Sequence, residues 1–289
     1  MHGLVSYPCI CHVCRAFRAN NSTMSAMIRS RRLASVALIA LAAAAGCKGS
    51  STAAGQAYRS AEPSTVASIT HVRQAPSALL RSAIAAMLAK GSVHLSCTEY
   101  AGEDVTTSSD LGVDSGSETD TVVSYGNAKA LSVDGVYYVN VSSKSILAAD
   151  GFPTTVAATV AGDWISFQPG DSYGSIAYPS QTSGLTLEGV AEQILLTGTL
   201  KVGLPHKLDG QLIVGISGNA SASYGAAAKG SQETLYVRST GDPLPVTMTQ
   251  HIAGIVETCD FSRWGEPLRL AAPPHAVSVT SLPSDGKST

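Results

Sequence analysis

Residues 130–140 read Ala130-Leu-Ser-Val-Asp134-Gly135-Val-Tyr-Tyr-Val-Asn140. Two runs rich in β-branched and aromatic residues flank an Asp-Gly pair. Both residues of such a pair accept the positive φ that a two-residue hairpin turn requires, so the stretch predicts a β-hairpin. The same signal recurs at Asp209-Gly210, ahead of the apolar run Leu212-Ile-Val-Gly-Ile216. Upstream, residues 92–100 alternate, with Val93, Leu95 and Cys97 on one side. Residues 121–125, 164–167, 234–238, 245–251 and 254–261 add short strands, and 239–243 turns between two of them. Residues 108–120 are polar and carry Asp110, Asp114, Glu118 and Asp120, which predicts a solvated loop. The sum is about eight to ten strands, mostly hairpin-connected, with two to three helices. That pattern is an α+β domain on one continuous, curling antiparallel sheet.

The best helix is residues 76–90. Leu79, Leu80, Ile84, Met87 and Leu88 recur at helical spacing, Pro76 sits in the first turn and Gly91 stops it. Nearly every face is apolar or small, so the helix is expected to be buried, packed inside the sheet. Shorter helices are expected around 190–196 and 221–229, and the Pro-rich tail from Pro273 is expected to leave by the surface.

The chain has 289 residues, 44% of them hydrophobic and only 14% charged, too apolar for a disordered protein. The net charge of −2 hides an asymmetry. Residues 1–46 hold five arginines (Arg15, Arg18, Arg29, Arg31, Arg32) and no acid, so of 19 basic residues 14 remain against 21 acids, a balance of −7. A mildly acidic body does not track phosphates, which excludes a nucleic-acid partner.

The arginines belong to an address. Residues 27–46 run from Met-Ile-Arg-Ser-Arg-Arg through an apolar stretch, Leu33 to Ala45, to Gly46, immediately before Cys47. The apolar stretch is too short to span a bilayer of about 30 Å. Small residues ending in Gly-Cys resemble a bacterial lipobox, in which the Cys sulfur is acylated and the leader is cut just before it. Ala44 stands three residues before the Cys, where Leu is usual. Residues 1–26 do not fit a leader, and translation is expected to start at Met24 or Met27; Cys9, Cys11, His12 and Cys14 are not read as a metal knuckle. Residues 47–74 are largely Gly/Ser/Thr/Ala-rich and read as a flexible tether, residues 75–283 as the folded domain and 284–289 as a tail.

With Cys47 acylated, Cys97 and Cys259 remain as an even pair in an oxidising compartment and predict a disulfide. It would set the first strand of the domain beside one of the last. The chemistry search returns little else. His71, His94, His206, His251 and His275 have no partner at metal spacing, so no metal or cofactor is expected. Gly215-Ile-Ser217-Gly-Asn219 has Asn where a nucleophile elbow needs Gly. An enzyme is disfavoured.

Three passages carry a family resemblance: the helix running into Gly91-Ser-Val-His-Leu95, the stretch Leu235-Tyr-Val-Arg-Ser-Thr-Gly-Asp-Pro-Leu-Pro-Val246, and Phe261-Ser-Arg-Trp264-Gly265-Glu266-Pro267. With 133–138 and 162–164, they resemble the actinobacterial lipoproteins of the LppX/LprA/F/G family over about residues 75–280. The resemblance implies a LolA/LolB-like fold, an antiparallel half-barrel with helices packed on its concave side. It also implies binding of acylated lipids or glycolipids in an apolar cavity, and their carriage across the cell envelope by a protein anchored through Cys47 to the outer face of the membrane. The expected cavity walls are Leu80, Ile84, Met87 and Leu88 of the helix with Val93, Leu95, Val136 and Tyr138 of the strands; expected partners are the lipid and envelope transporter proteins. The alternative is a solid-cored interaction or sensor lipoprotein of the envelope without a ligand cavity.

Overall fold

The computed structural model of the chain describes residues 71, 74–100, 104–122, 126–174, 176–177, 182–221, 230–252 and 255–283. Both Asp-Gly pairs turn as their chemistry requires. Asp134 and Asp209 take φ of 53° and 48°, followed by Gly135 and Gly210 at 71° and 81°. Two successive left-handed residues give the turn whose twist matches the strands it joins. They close β4 (Gly126–Val133) onto β5 (Val136–Val141), and β10 (His206–Leu208) onto β11 (Gln211–Asn219).

Helix α1 spans Pro76–Lys90. Pro76 sits where a missing N–H breaks no helical bond. Gly91 ends the helix at φ 74°, its N–H donating to the Leu88 carbonyl at 3.1 Å. Leu79, Leu80, Ala83 and Met87 are its buried residues.

One sheet of 13 strands dominates the described residues. Its centre is β1 (Ser92–Tyr100). On one side lie β14 (Ile255–Ser262), β13 (Pro245–Ile252), β12 (Gln232–Arg238), β11 and β10, with β9 (Thr197–Val202) also paired to β11. On the other side lie β2 (Asp104–Gly112), β3 (Gly116–Val122), β4, β5, β6 (Trp164–Phe167) and β15 (Val277–Ser278). Every pairing is antiparallel except that of β15 with β6. A separate short ribbon joins β7 (Ser172–Tyr173) to β8 (Ile176–Ala177). The sheet is open and curved, not closed, and carries α1, α2 (Lys144–Ala149), α3 (Thr154–Val160) and α4 (Leu187–Gln193) on its inner face. This is the α+β curling antiparallel sheet that the hairpin order predicts, and the half-barrel that the resemblance implies.

β1 lies between β2 and β14, so early and late strands of the domain are neighbours. Cys97 and Cys259 stand directly opposite each other in that register and form a disulfide, with Cα atoms 4.0 Å apart.

Several expectations need correction. Residues 108–120 are not a solvated loop but most of the β2–β3 hairpin. Thr107, Ser109, Glu118 and Asp120 are buried, and they satisfy one another: Thr107 Oγ1 donates to Asp120 Oδ1 at 2.7 Å and Ser109 Oγ to Glu118 Oε2 at 3.3 Å. The strands also outnumber the expected eight to ten. The second helix starts earlier than residue 190, because Thr186 Oγ1 accepts from the Gly189 N–H at 3.1 Å and caps α4 at Leu187. The tail from Pro273 does not simply leave. It adds β15 to the sheet edge and buries Val279 in the main core. The end of the expected tether is docked as well, since His71 is buried and its Nε2 donates to the Gly241 carbonyl at 2.7 Å. The leader, Cys47, the cysteines of the first 14 residues, the Ala-rich 222–229 and the 284–289 tail lie outside the described residues.

Candidate ligand-binding face

The inner face is assembled by the two-residue period of the strands. On β1 the period sends Val93, Leu95 and Cys97 inward, and on β14 it sends Cys259 and Phe261; all five belong to the main apolar cluster with Leu79, Leu80, Ala83 and Met87 of α1. Toward the β6 edge the wall continues through Ala128 and Ala130 of β4, Tyr137, Val139 and Val141 of β5, and Ile165 and Phe167 of β6. Tyr137 and Phe167 pack with ring centroids 6.0 Å apart. Toward the β10 edge, Leu235, Val237 and Met248 continue it. α1 lies over this wall, touching α4, β9 and β1.

Five of the eight sequence-predicted wall residues come together here. Leu80, Met87, Val93 and Leu95 are buried in the cluster, and Ile84 packs against it. Leu88 is 38% exposed. Val136 and Tyr138 fall on the outer face, where they join Leu131, Val133, Trp164, Leu270 and Ala276 in a second, smaller cluster. In β5 nearly every residue is apolar or aromatic, so alternation is silent in the sequence. The cross-strand register, Tyr137 opposite Phe167 and Val139 opposite Ile165, is what assigns the faces.

Sequence reading missed the polar part of the inner face. Glu99, Glu118, Asp120, Glu233, Gln250 and Glu257 are all buried there. Burial, and then the charge of Glu257, hold the Glu233 carboxyl well above the usual carboxylate range. A signal existed for four of them: Glu99, Glu233, Gln250 and Glu257 each sit two residues from a core position of their strand, Cys97, Leu235, Met248 and Cys259. The Glu257 carboxylate lies within 4.8 Å of both cysteine sulfurs, but sulfurs joined in a disulfide are not thiolates and do not ligate as thiolates do.

At the end of β14, Trp264 stacks on the inward-facing Phe261, with centroids 6.0 Å apart and planes within 3°, and packs against the main cluster. The segment that follows folds back over the outer face. Gly265, at φ 75°, donates its N–H to the Ser92 carbonyl at 3.0 Å, and Ser92 Oγ returns a bond to the Glu266 carbonyl at 2.7 Å. Asp110 Oδ1 accepts from Arg263 Nη2 at 2.9 Å and meets His94 Nδ1 at 2.8 Å. These groups and Pro267–Leu270 line a cavity of about 140 Å³. The Phe261-Ser-Arg-Trp-Gly-Glu-Pro267 passage thus acts as a clasp between the end of β14 and the start of β1. Its Arg263–Asp110 ion pair is solvent-exposed and contributes little to stability. Ser217 lies within β11, its Oγ 2.9 Å from Thr234 Oγ1 on β12, rather than on a strand-to-helix elbow. No helix among the described residues is long and apolar enough to cross a membrane.

No protein-family model matches the sequence, and no curated protein matches it either. Solved structures do. LprF from Mycobacterium bovis is 16% identical with a TM-score of 0.44, over 68% of this chain and 96% of its own. The Mycobacterium tuberculosis lipoprotein LppX is 13% identical with a TM-score of 0.46, over 68% of this chain and 98% of its own. An uncharacterised conserved protein from Thermus thermophilus is 9% identical with a TM-score of 0.39, over 71% and 99%.

Proposed function

We propose that this chain is an acylated lipoprotein of the cell envelope that holds a lipid's acyl chains between its helices and the inner face of its sheet, and carries the lipid across the envelope. The observation that supports the reading best is the inner face itself. An open sheet presents a wall of aliphatic side chains, and short helices cover it in place of a second sheet. Helices that touch a sheet at few points can shift against it without breaking a hydrogen-bond ladder. Acyl chains need only such walls, at about 25 cal/mol per Å² removed from water, with a few polar groups to orient the head. No catalytic group is called for. The Gly46-Cys47 lipobox supports the anchor: two acyl chains hold a protein stably at a membrane where one does not.

The test is native mass spectrometry of the protein purified from the membranes of an actinobacterial host expressing the full chain. Copies carrying an extra lipid mass are expected. A protein that emerges empty, and then takes up no fluorescent acyl probe, overturns the reading.

A further inference from the structure

The segment from Glu266 to Leu270 runs over the outer face, away from the acyl-binding wall. With His94 of β1, Asp110 of β2 and Arg263 it lines a cavity of about 140 Å³. Glu266 and Arg269 share that cavity, yet they form no ion pair with each other or with any other described residue. Opposite charges that border one space without closing on each other leave a gap that a third group can bridge. The second pair of charges is only partly used. Asp110 Oδ1 takes both Arg263 Nη2, at 2.9 Å, and His94 Nδ1, at 2.8 Å, while Oδ2 accepts no hydrogen bond from a described residue. Arg263 gives Asp110 one of the several N–H donors a guanidinium carries. Leu268 and Leu270, half-buried, give the cavity an apolar side.

A second observation is independent of charge. Arg263 holds a φ of 50°, the left-handed region that residues with a Cβ seldom enter. Such a conformation raises the energy of the folded chain and persists where the surroundings enforce it, most often at binding and active sites. Here it belongs to the residue whose guanidinium bonds Asp110 at the cavity wall.

The charges select the ligand class. A lone anion meets the two guanidiniums but is repelled by the two carboxylates, and a lone cation meets the reverse. A molecule with one charge of each sign answers both. Its carboxylate matches the planar fork of a guanidinium, and its ammonium offers donors to carboxylate oxygens. Size narrows the class further. A cavity of about 150 Å³ holds benzene, with about six heavy atoms, and free alanine is a molecule of that size.

We infer that the cavity between the Glu266–Leu270 segment and the start of the β1–β2 pair binds a small zwitterion, an α-amino acid of alanine's size. Its carboxylate meets Arg269 and Arg263, and its ammonium meets Glu266 and Asp110. So placed, it ties the C-terminal segment to the outer face. The site is separate from the inner face and stands whether or not the sheet carries a lipid.

The experiment is calorimetric titration of the detergent-solubilised full-length protein with L-alanine, acetate, methylammonium and L-phenylalanine in turn. L-Alanine is expected to bind at least about tenfold tighter than acetate or methylammonium, each of which keeps one of its two charges. L-Phenylalanine, too large for the space, is expected not to bind. Glu266→Gln and Arg269→Gln are each expected to weaken L-alanine about tenfold; both residues are exposed, so neither change disturbs the core. No heat from L-alanine at millimolar concentration overturns the proposal. Acetate binding as tightly as L-alanine overturns it as well, because the cavity is then an anion site. Undiminished L-alanine binding by both variants places the ligand elsewhere and overturns it too.

Discussion

At the scale of single residues, the inner face tolerates little change. Gly116 opens β3 against the 3₁₀ turn Thr182–Leu185, and a Cβ there would collide with the Leu185 carbonyl oxygen. Backbone cannot rotate away as a side chain does, so Gly116→Ala is expected to destabilise the fold by about 1–3 kcal/mol in denaturant titration. Glu233 makes a prediction of opposite sign. Its folded pKa lies above the ordinary value of 4.5, so above that pH the folded state binds more protons than the unfolded one. Stability therefore falls as pH rises from there toward the folded pKa. Glu233→Gln removes this term. Melts between pH 4 and pH 8 are expected to show the variant gaining on wild type as pH rises; parallel curves would mean that Glu233 titrates normally. The hidden hairpin 104–122 is a lesson at this scale. Its acids look solvated in composition, yet alternate residues face inward and meet Thr107 and Ser109 across the ladder.

At the scale of elements, the β1–β14 pairing joins the two halves of the sheet. The Cys97–Cys259 bond spans a separation of 162 residues, and the chain-entropy estimate for so long a loop is about 5 kcal/mol. A Cys97→Ala/Cys259→Ala protein is expected to lose up to that amount, and reducing agent is expected to lower the wild-type melting temperature while leaving the variant's unchanged. The C-terminal segment is the second element with a measurable role. Leu270 and Ala276 cover Trp164 on the outer face, β15 pairs with β6, and Val279 enters the main core. Val279→Ala should cost about 2 kcal/mol, a drop of roughly 4–8 °C in melting temperature. A chain ending before residue 270 is expected to show red-shifted tryptophan emission as Trp164 meets water. Unchanged emission would mean that the segment does not cover that ring.

At the scale of the whole molecule, the proposed function joins a membrane address to a half-barrel. Cys47→Ser is expected to move the protein from the membrane fraction to the soluble fraction, because one uncleaved or unacylated leader does not replace two buried acyl chains. Fractionation with immunoblotting reads this directly; a variant that stays in the membrane would place the anchor elsewhere.

What the sequence by itself determined is what local chemistry can specify: the two Asp-Gly hairpins, the helix bounded by Pro76 and Gly91, the even cysteine pair, and the α+β class that follows. Each depends on residues a few positions apart, or on the parity of a count. The tertiary structure alone decided which face of β5 looks inward, that the tail returns as a parallel strand, and that Glu233, Gln250, Glu257 and Glu99 stand in one row. Those facts depend on register between strands as far apart in sequence as Glu99 and Glu257, and on burial that composition cannot report. A shift of one residue in any of these pairings would turn that row to the opposite side of the sheet.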